Sequence, residues 1–167
     1  MNFSWLMDDL MAHYRSNYRV QAMAALTGHT RFADFTAPKV WSGSVDTQSL
    51  PVLGVLTPQE GFRMESFTTS ERKTLMQIAI RRAGGDDVED ILDEDSAFVE
   101  ALVTGALRQQ NQFCFLRETS IVSNADGARN IGTLVMGFEI TSLRAPATLP
   151  DTPDIVPRGS RAVPIFY

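Results

Sequence analysis

The densest group of chemically active side chains in this sequence is a run of carboxylates between positions 86 and 95. The run consists of Asp86, Asp87, Glu89, Asp90, Asp93, Glu94 and Asp95. Carboxylates at this density can hold a hard cation, but the run lacks the regular ligand alternation and the turn glycine of a calcium-binding loop. It therefore predicts a solvated helix start, where carboxylates meet the positive end of the helix dipole.

Other candidate nucleophiles and metal ligands are few. The single cysteine, Cys114, lies between Phe113 and Phe115, so no disulfide within the chain is possible and a buried small hydrophobe is favoured over a reactive thiol. His13 and His29 have no close acid or cysteine at metal-ligand spacing. No serine lies in a nucleophile elbow. The sequence thus predicts no catalytic residue, no cofactor and no metal site. A small enzyme or metal-dependent hydrolase that uses the Asp-rich run is a hypothesis of a different class.

The acidic run begins a predicted helix that covers a predicted strand, and the two together span residues 71–107. Residues 74, 76, 78 and 80 are apolar or β-branched and alternate with a mixed face, which is typical of a half-buried strand. After the break at Gly84-Gly85, either Asp86 or Asp87 can cap a helix whose apolar residues recur at three-to-four spacing. The glycine pair lacks the lysine of a phosphate-binding loop and is interpreted as a turn.

An amphipathic helix is predicted over residues 2–26, capped by Asn2 or Ser4, with a possible break near Ser16-Asn17. Its apolar seam consists of Phe3, Leu6, Met7, Leu10, Met11, Tyr14 and Tyr18. Seams of this kind more often pack into a core than fill the groove of a partner, so core packing is favoured.

The remaining predicted elements are strands. A short strand is expected over residues 37–41 and a second over 51–57, which begins at Pro51 and is closed by Pro58. Residues 59–70 are interpreted as a polar connector whose end can already pair. One strand is expected over residues 113–122, bent at Arg117-Glu118, and another over residues 129–143. Because a turn is indicated between them at residues 124–127, the two strands are predicted to form an antiparallel hairpin.

Composition narrows the class of protein. A chain of 167 residues with 44% hydrophobic residues suits one domain with appendages. The net charge of −5 argues against a binder of the nucleic-acid backbone. Because no basic leader and no apolar run of about 18 residues is present, we expect a protein that is neither secreted nor membrane-spanning.

The composition changes at Arg144, since five prolines fall within the final 24 residues. Such proline density favours an extended chain without its own core, but Ile165, Phe166 and Tyr167 are too apolar for a purely solvating linker. We expect part of this arm to dock, either on its own domain or on a neighbouring subunit. The predicted fold is α+β: a mixed or antiparallel sheet of about four to five strands packed against two α-helices (residues 1–143), followed by an extended Pro-rich C-terminal arm (144–167).

Three passages of the sequence resemble the tail terminator proteins of long-tailed bacteriophages and phage-like particles. They are residues 40–60, which run from Val-Trp through Leu-Pro and an apolar strand to Thr-Pro-Gln-Glu, then residues 80–93, and the closing strand at 132–140. The resemblance covers roughly residues 1–144. The Pro-rich arm and the long first helix depart from the family pattern.

The resemblance implies a structural virion protein that forms a ring, expected to be a homohexamer, which terminates the tail tube and joins it to the head. It implies three partners: other copies of the chain, the major tail tube protein and a head-side stopper or connector protein. DNA would pass through the lumen without specific binding, and no membrane and no catalysis are implied. The expected location is the virion tail, assembled in the host cytoplasm. The alternative is a neck or head-completion protein, either stopper or adaptor.

A ring requires contacts between unlike surfaces of neighbouring copies. We expect the acidic start of the second helix to meet basic residues of a neighbour, with charge governing the choice of partner more than the affinity. The interface candidates are Arg72, Lys73, Arg81, Arg82, Asp86, Asp87, Glu89, Asp90 and Asp93, together with Ile165, Phe166 and Tyr167 of the arm.

Overall fold

The computed structural model of the chain describes residues 14–38, 49–126 and 129–144. Two helices and four strands form in this part of the chain. In chain order they are α1 (Tyr14–Thr27), β1 (Val52–Ser66), β2 (Thr69–Gly84), α2 (Val88–Gln109), β3 (Phe113–Asp126) and β4 (Arg129–Arg144). The protein is therefore an α+β fold, as predicted.

The four strands form one antiparallel sheet in the order β1-β2-β4-β3. Helix α2 connects β2 to β3, so the chain reaches the far edge of the sheet before β4 returns between β2 and β3. In the centre of the sheet Ile78 lies between Val55 of β1 and Met136 of β4. The predicted alternation of β2 and β4 and the predicted β3–β4 hairpin are confirmed.

The hydrophobic core lies between one face of this sheet and the two helices. The alternate residues of β2 and β4 that face the helices are almost completely buried. They are Met76, Ile78, Ile80, Leu134, Met136, Phe138 and Ile140. Tyr18, Ala22 and Leu26 of α1 and Leu92, Val99, Val103 and Leu107 of α2 cover them. The apolar faces that recur every two residues in the strands and every three to four residues in the helices therefore pack against each other.

The start of α2 lies unusually close to the sheet at Gly132 of β4. A Cβ atom at this position would lie 2.5 Å from Leu92 Cδ1 and 2.9 Å from Val88 Cγ2. Glycine is thus required here because the helix and the strand backbone approach closely. Asp87 occupies the N-cap position of α2 but makes no side-chain capping hydrogen bond, so only the position of the predicted cap is confirmed.

We expect Gly132→Val to lower the free energy of unfolding by about 1–3 kcal/mol, because added atoms would force α2 away from the sheet. Urea unfolding monitored by circular dichroism measures this change. Gly61→Ala is the control, because a Cβ at Gly61 meets no atom within 4 Å. Equal stability of the Gly132→Val variant and the parent would show that the helix start is not tightly packed.

The first hairpin is longer than predicted. Strand β1 does not end before Pro58 but continues to Ser66, and β2 begins at Thr69, so most of the predicted connector over residues 59–70 is paired. Pro58 is tolerated because the register shifts between Leu56 and Gln59 and β1 is an edge strand, where a missing N–H need not break a ladder bond.

Four further predictions have mixed outcomes. Helix α1 runs without interruption through Ser16 and Asn17, so the possible break is wrong. The register shift between Leu116 and Glu118 confirms the bend in β3. Strand β3 continues to Asp126, past the start of the turn predicted at 124–127. Thr36 forms a single parallel bridge to Val52, whereas residues 39–41 of the predicted short strand lie outside the described residues.

Both ends of the chain also lie outside the described residues. They comprise residues 1–13 of the predicted first helix, with His13, and residues 145–167 of the predicted arm. Arg144 belongs to β4, where it pairs with Ser70. The predicted first residue of the arm, Arg144, is thus part of the sheet.

Candidate assembly surfaces

Asp95 is the one carboxylate of the acidic run that is completely buried. Its Oδ1 accepts a hydrogen bond from Arg31 Nε at 2.6 Å. Arg82 Nε lies 3.0 Å from Asp95 Oδ2, near enough for an ion pair but without hydrogen-bond geometry. The two guanidinium groups rest on aromatic rings, Arg31 on Phe98 and Arg82 on Phe35, each at 4.9 Å from the ring centroid.

This cluster joins three parts of the fold: the segment after α1, helix α2 and strand β2. Burial alone would lower the pKa of the Arg31 guanidinium, but its hydrogen bonds to Asp95 and Glu94 raise it above the ordinary value. Arg82, predicted as an interface residue, is therefore used within the chain. The sequence analysis grouped Asp95 with the solvated acids of the helix start. This interpretation is wrong, because Asp95 is buried and pairs with Arg31, which precedes it by 64 residues.

A second polar cluster surrounds Glu60 of β1 on the helix-facing side of the sheet. Its carboxylate accepts hydrogen bonds from Arg72 Nη1 at 2.8 Å, from Thr74 Oγ1 at 3.1 Å and from the Tyr14 hydroxyl. Burial would raise the pKa of Glu60, but these three hydrogen bonds lower it below the usual value. Burial, and then the neighbouring Glu60, raise the pKa of Tyr14. Arg72, a further interface candidate, is thus also used within the chain.

We expect Glu60→Gln to lower the free energy of unfolding at pH 7 by about 1.5–3 kcal/mol, the usual contribution of hydrogen bonds to a charged group. Because the pKa of Glu60 is lowered in the folded state, its contribution is present above the ordinary carboxyl pKa of 4.5 and is lost as the pH falls through the folded-state value. Urea unfolding at several pH values should show the parent and the variant converging in acid.

Glu65→Gln is the matched control for this pH dependence. Glu65 lies on the same strand, but its ion pair with Arg63 spans 3.5 Å and is exposed to solvent, so its removal should change stability by less than about 1 kcal/mol. A constant difference between Glu60→Gln and the parent down to pH 3 would contradict the role assigned to the Glu60 carboxylate.

The other two basic interface candidates lie on the opposite side of the sheet. Lys73 is half-exposed, with its Nζ 3.9 Å from Glu139 Oε1. Arg81 is less exposed and donates a hydrogen bond from Nε to Thr133 Oγ1 at 3.4 Å. Arg117, which was not predicted as a candidate, reaches the same carboxylate from β3, with Nε 3.7 Å from Glu139 Oε2. The two contacts with Glu139 are long, which is typical of weak surface ion pairs.

The predicted acidic surface is present at the start of α2. Its exposed carboxylates are Asp86, Asp87, Glu89, Asp90 and Asp93, and we call them the acidic helix start. Asp86 Oδ1 accepts a hydrogen bond from Asn130 Nδ2 at 3.4 Å, and Glu89 accepts one from the Ser123 hydroxyl. The remaining candidates of the arm, Ile165, Phe166 and Tyr167, lie outside the described residues.

The side of the sheet that faces away from both helices exposes several large apolar side chains, whereas Val52 and Ala79 on the same side are buried. We call it the outer sheet face, and it consists of Lys73, Leu75, Arg81, Phe113, Phe115, Arg117, Val135, Glu139 and Leu143. Phe113 is 76% exposed and Leu143 69% exposed. Phe113 and Leu143 belong to neighbouring strands, β3 and β4. Contiguous exposed apolar side chains rimmed by charges are typical of a protein interface.

The thiol of Cys114 and the imidazole of His29 are both packed against other parts of the fold. Cys114 is buried on the helix-facing side of β3, and burial raises the pKa of its thiol to about 12, which confirms the interpretation as a buried hydrophobe. His29 packs against the rings of Phe98 and Phe32, and its Nδ1 accepts a hydrogen bond from the backbone N–H of Arg31. Within residues 14–38, 49–126 and 129–144, no three His, Cys, Asp or Glu side chains are placed to hold a metal ion.

No protein-family model and no curated protein matches this sequence. Neither of the two described helices combines the length and hydropathy that crossing a membrane would require. The surfaces themselves therefore carry the functional interpretation.

Proposed function

We propose that this chain is a structural virion protein whose copies form a ring that terminates a phage tail tube and joins it to the head connector. Three kinds of observation support the proposal. Three passages of the sequence resemble tail terminator proteins, the fold is a small sheet with both described helices on one side, and the other side exposes Phe113, Phe115 and Leu143. The location that follows is the tail of the virion.

The outer sheet face is the observation on which the proposal depends most. A four-stranded sheet with a polar outer surface would need no partner, whereas this one exposes Phe113, Phe115 and Leu143 together. Burying aromatic and large aliphatic side chains is the main source of affinity in protein interfaces. The outer sheet face therefore suits a contact with another copy of the chain.

The charges suit a contact between unlike surfaces. Five exposed carboxylates form the acidic helix start, and Lys73, Arg81 and Arg117 belong to the outer sheet face. The acidic helix start of one copy can meet these cations of the next copy. Because the two surfaces differ, each copy offers one to each neighbour, and such a heterologous contact closes into a ring when the rotation between copies permits it.

The net charge of the chain suits the passage of DNA. At −5, the protein carries no general attraction for the phosphate backbone. A lumen lined by such subunits would let a genome slide instead of binding it.

Imaging of the intact particle tests the proposal. A density map should place a ring of this chain at the head-proximal end of the tail tube, in contact with the tube protein on one side and the connector on the other. A position on the head side of the neck, without contact to the tube, would instead assign a stopper or adaptor role. The position of the gene relative to the major tail protein gene distinguishes the same two roles.

We expect removal of residues 145–167 to leave the domain folded while weakening assembly. The described core lies within residues 14–144, and Arg144 must be retained because its guanidinium lies 3.8 Å from the centroid of the Tyr14 ring and donates to the Tyr18 hydroxyl. Urea unfolding and particle assembly of the truncated chain measure the two effects. Unfolding of the truncated chain would show instead that the arm belongs to the core.

A further inference from the structure

We propose that the β1–β2 hairpin of one copy of the chain inserts Phe67 into a groove at the end of α2 in the next copy. The contact deepens the proposed function, on which it rests, because it names a pair of surfaces through which copies in a ring would meet. We call residues 61–71 the hairpin tip. We call the groove between the end of α2 and the start of β3 the corner groove.

The hairpin tip carries an aromatic side chain that no described part of the chain covers. Phe67 is the first residue of the two-residue turn between β1 and β2, and it is 99% exposed. Such turns favour glycine, asparagine or aspartate, so the turn itself gives no reason for phenylalanine at this position. Phe62 and Met64 on the same hairpin are also more than half exposed. Large apolar side chains exposed together are typical of an interaction surface.

The turn that presents Phe67 is constrained by hydrogen bonds. The backbone N–H of Thr68 donates to the Ser66 hydroxyl at 3.2 Å, and the two hydroxyl oxygens lie 3.3 Å apart. At the base of the hairpin tip, the ion pair between Arg72 and Glu60 joins the two strands. A side chain on a constrained backbone loses less conformational freedom when it binds. Phe67 therefore has the properties of a preformed anchor.

The corner groove has room for such an anchor. Its volume is about 510 Å³, and its lining consists of Arg108, Asn111, Gln112, Phe113, Cys114 and Phe115. Three of these side chains are apolar, and aromatic anchors gain most of their binding energy in apolar pockets. Phe113 and Phe115 also belong to the outer sheet face, so the corner groove continues the surface that the proposed function assigns to contacts between copies.

The end of α2 fixes one wall of the corner groove. Asn111 has a φ of 57°, and its backbone N–H donates to the Arg108 carbonyl at 2.9 Å. The backbone N–H of Gln112 donates to the Leu107 carbonyl at 3.0 Å, and the Tyr18 hydroxyl donates to Gln112 Oε1 at 3.4 Å. The two backbone bonds form a Schellman motif, which ends a helix in a defined geometry. The corner groove is therefore preformed as well.

The hairpin tip and the corner groove of one chain cannot meet. The hairpin includes β1, at one edge of the sheet, whereas the groove lies beside β3, at the other edge. Register places Phe113 level with Lys73 through Thr141, so the turn lies about five residues farther along the strands. At about 3.3 Å per residue and 4.8 Å per strand, the separation is about 20 Å. Two copies can meet in this way, and a head-to-tail contact of this kind can close a ring.

The charges of the two surfaces are complementary. Neither Glu71 of the hairpin tip nor Arg108 of the corner groove has an ion-pair partner among the described residues. The other two charges of the tip, Arg63 and Glu65, pair with each other. The tip therefore has a net negative charge and the groove a positive one. Glu71 lies about 13 Å from Phe67 along the strand, within the combined reach of the Glu71 and Arg108 side chains. Complementary charges govern the choice of partner.

Sedimentation of the purified full-length chain tests the contact. Phe67→Ser should weaken association between copies about 30-fold, the usual loss when a central aromatic anchor is removed. The control is Val20→Ser, which removes another largely exposed apolar side chain, on α1, and should associate like the parent. Equal association of Phe67→Ser and the parent would overturn this contact and leave the proposed function standing. A parent that stays monomeric at every concentration would overturn both.

A charge exchange tests whether the corner groove is the receiving surface. Glu71→Arg and Arg108→Glu should each weaken association about tenfold, because each places like charges opposite one another. The chain that carries both changes should associate within about threefold of the parent, because the pair is restored with its signs exchanged. Unchanged association of the single variants, or no recovery in the combined variant, would overturn the corner groove as the site that receives Phe67.

Discussion

Asp95→Asn is expected to lower the free energy of unfolding by about 3 kcal/mol, one of the two largest effects that the structure implies. The carboxamide has nearly the same shape but no charge, so Arg31 and Arg82 would remain packed against α2 without the carboxylate that both contact. Removing one partner from a buried ion cluster typically costs about 3–5 kcal/mol, and the partial exposure of both arginines favours the lower end. Urea unfolding at neutral pH measures the loss.

Asp93→Asn is the matched control for this prediction. Asp93 lies two residues earlier on the same helix, but its side chain is exposed, so its substitution should change stability by less than about 0.5 kcal/mol. Similar small losses for the two variants would show that the buried cluster contributes no net stability.

The double substitution Phe113→Ser with Leu143→Ser is expected to abolish assembly while leaving the fold intact. Both side chains are largely exposed in the single chain, so each change should cost less than about 0.5 kcal/mol of folding stability. At the centre of an interface, each lost side chain costs about 2 kcal/mol, or about 30-fold in affinity. Analytical ultracentrifugation and particle assembly measure the association.

Val20→Ser provides the control for the outer sheet face. Val20 is also a largely exposed apolar residue, but it lies on α1, on the opposite side of the sheet. This variant should assemble like the parent. Unchanged assembly of the Phe113 and Leu143 double variant would exclude the outer sheet face as the contact between copies.

Hydrophobic periodicity was sufficient to predict the fold class because it is a local property of the chain. The alternation over residues 74–81 and 129–143 and the helical spacing after Asp87 each describe one face of one element, and the core forms where these faces meet. The end of β1 was not predictable in this way. Proline ends most strands, and it is tolerated at Pro58 only because β1 is an edge strand with a register shift, which depends on the order of strands in the sheet.

The roles of individual charges were the least predictable feature. In sequence, Asp95 resembles the six other carboxylates of its run, and Arg82 resembles its neighbour Arg81. Their difference arises from the folded arrangement, in which Arg31 reaches Asp95 across 64 residues and the alternation of β2 turns Arg82 toward the helices. Two of the four basic interface candidates, Arg72 and Arg82, therefore form ion pairs on the helix-facing side, whereas Arg117, at the bend in β3, lies on the outer sheet face.

The central claim is that copies of this chain close into a ring. Its most direct test is the mass of the purified protein, measured across a wide concentration range. Native mass spectrometry and light scattering should detect one closed species of defined copy number, expected to be six times the chain mass of 18.5 kDa. A monomer at every concentration, or an open ladder of sizes without a closed species, would contradict it.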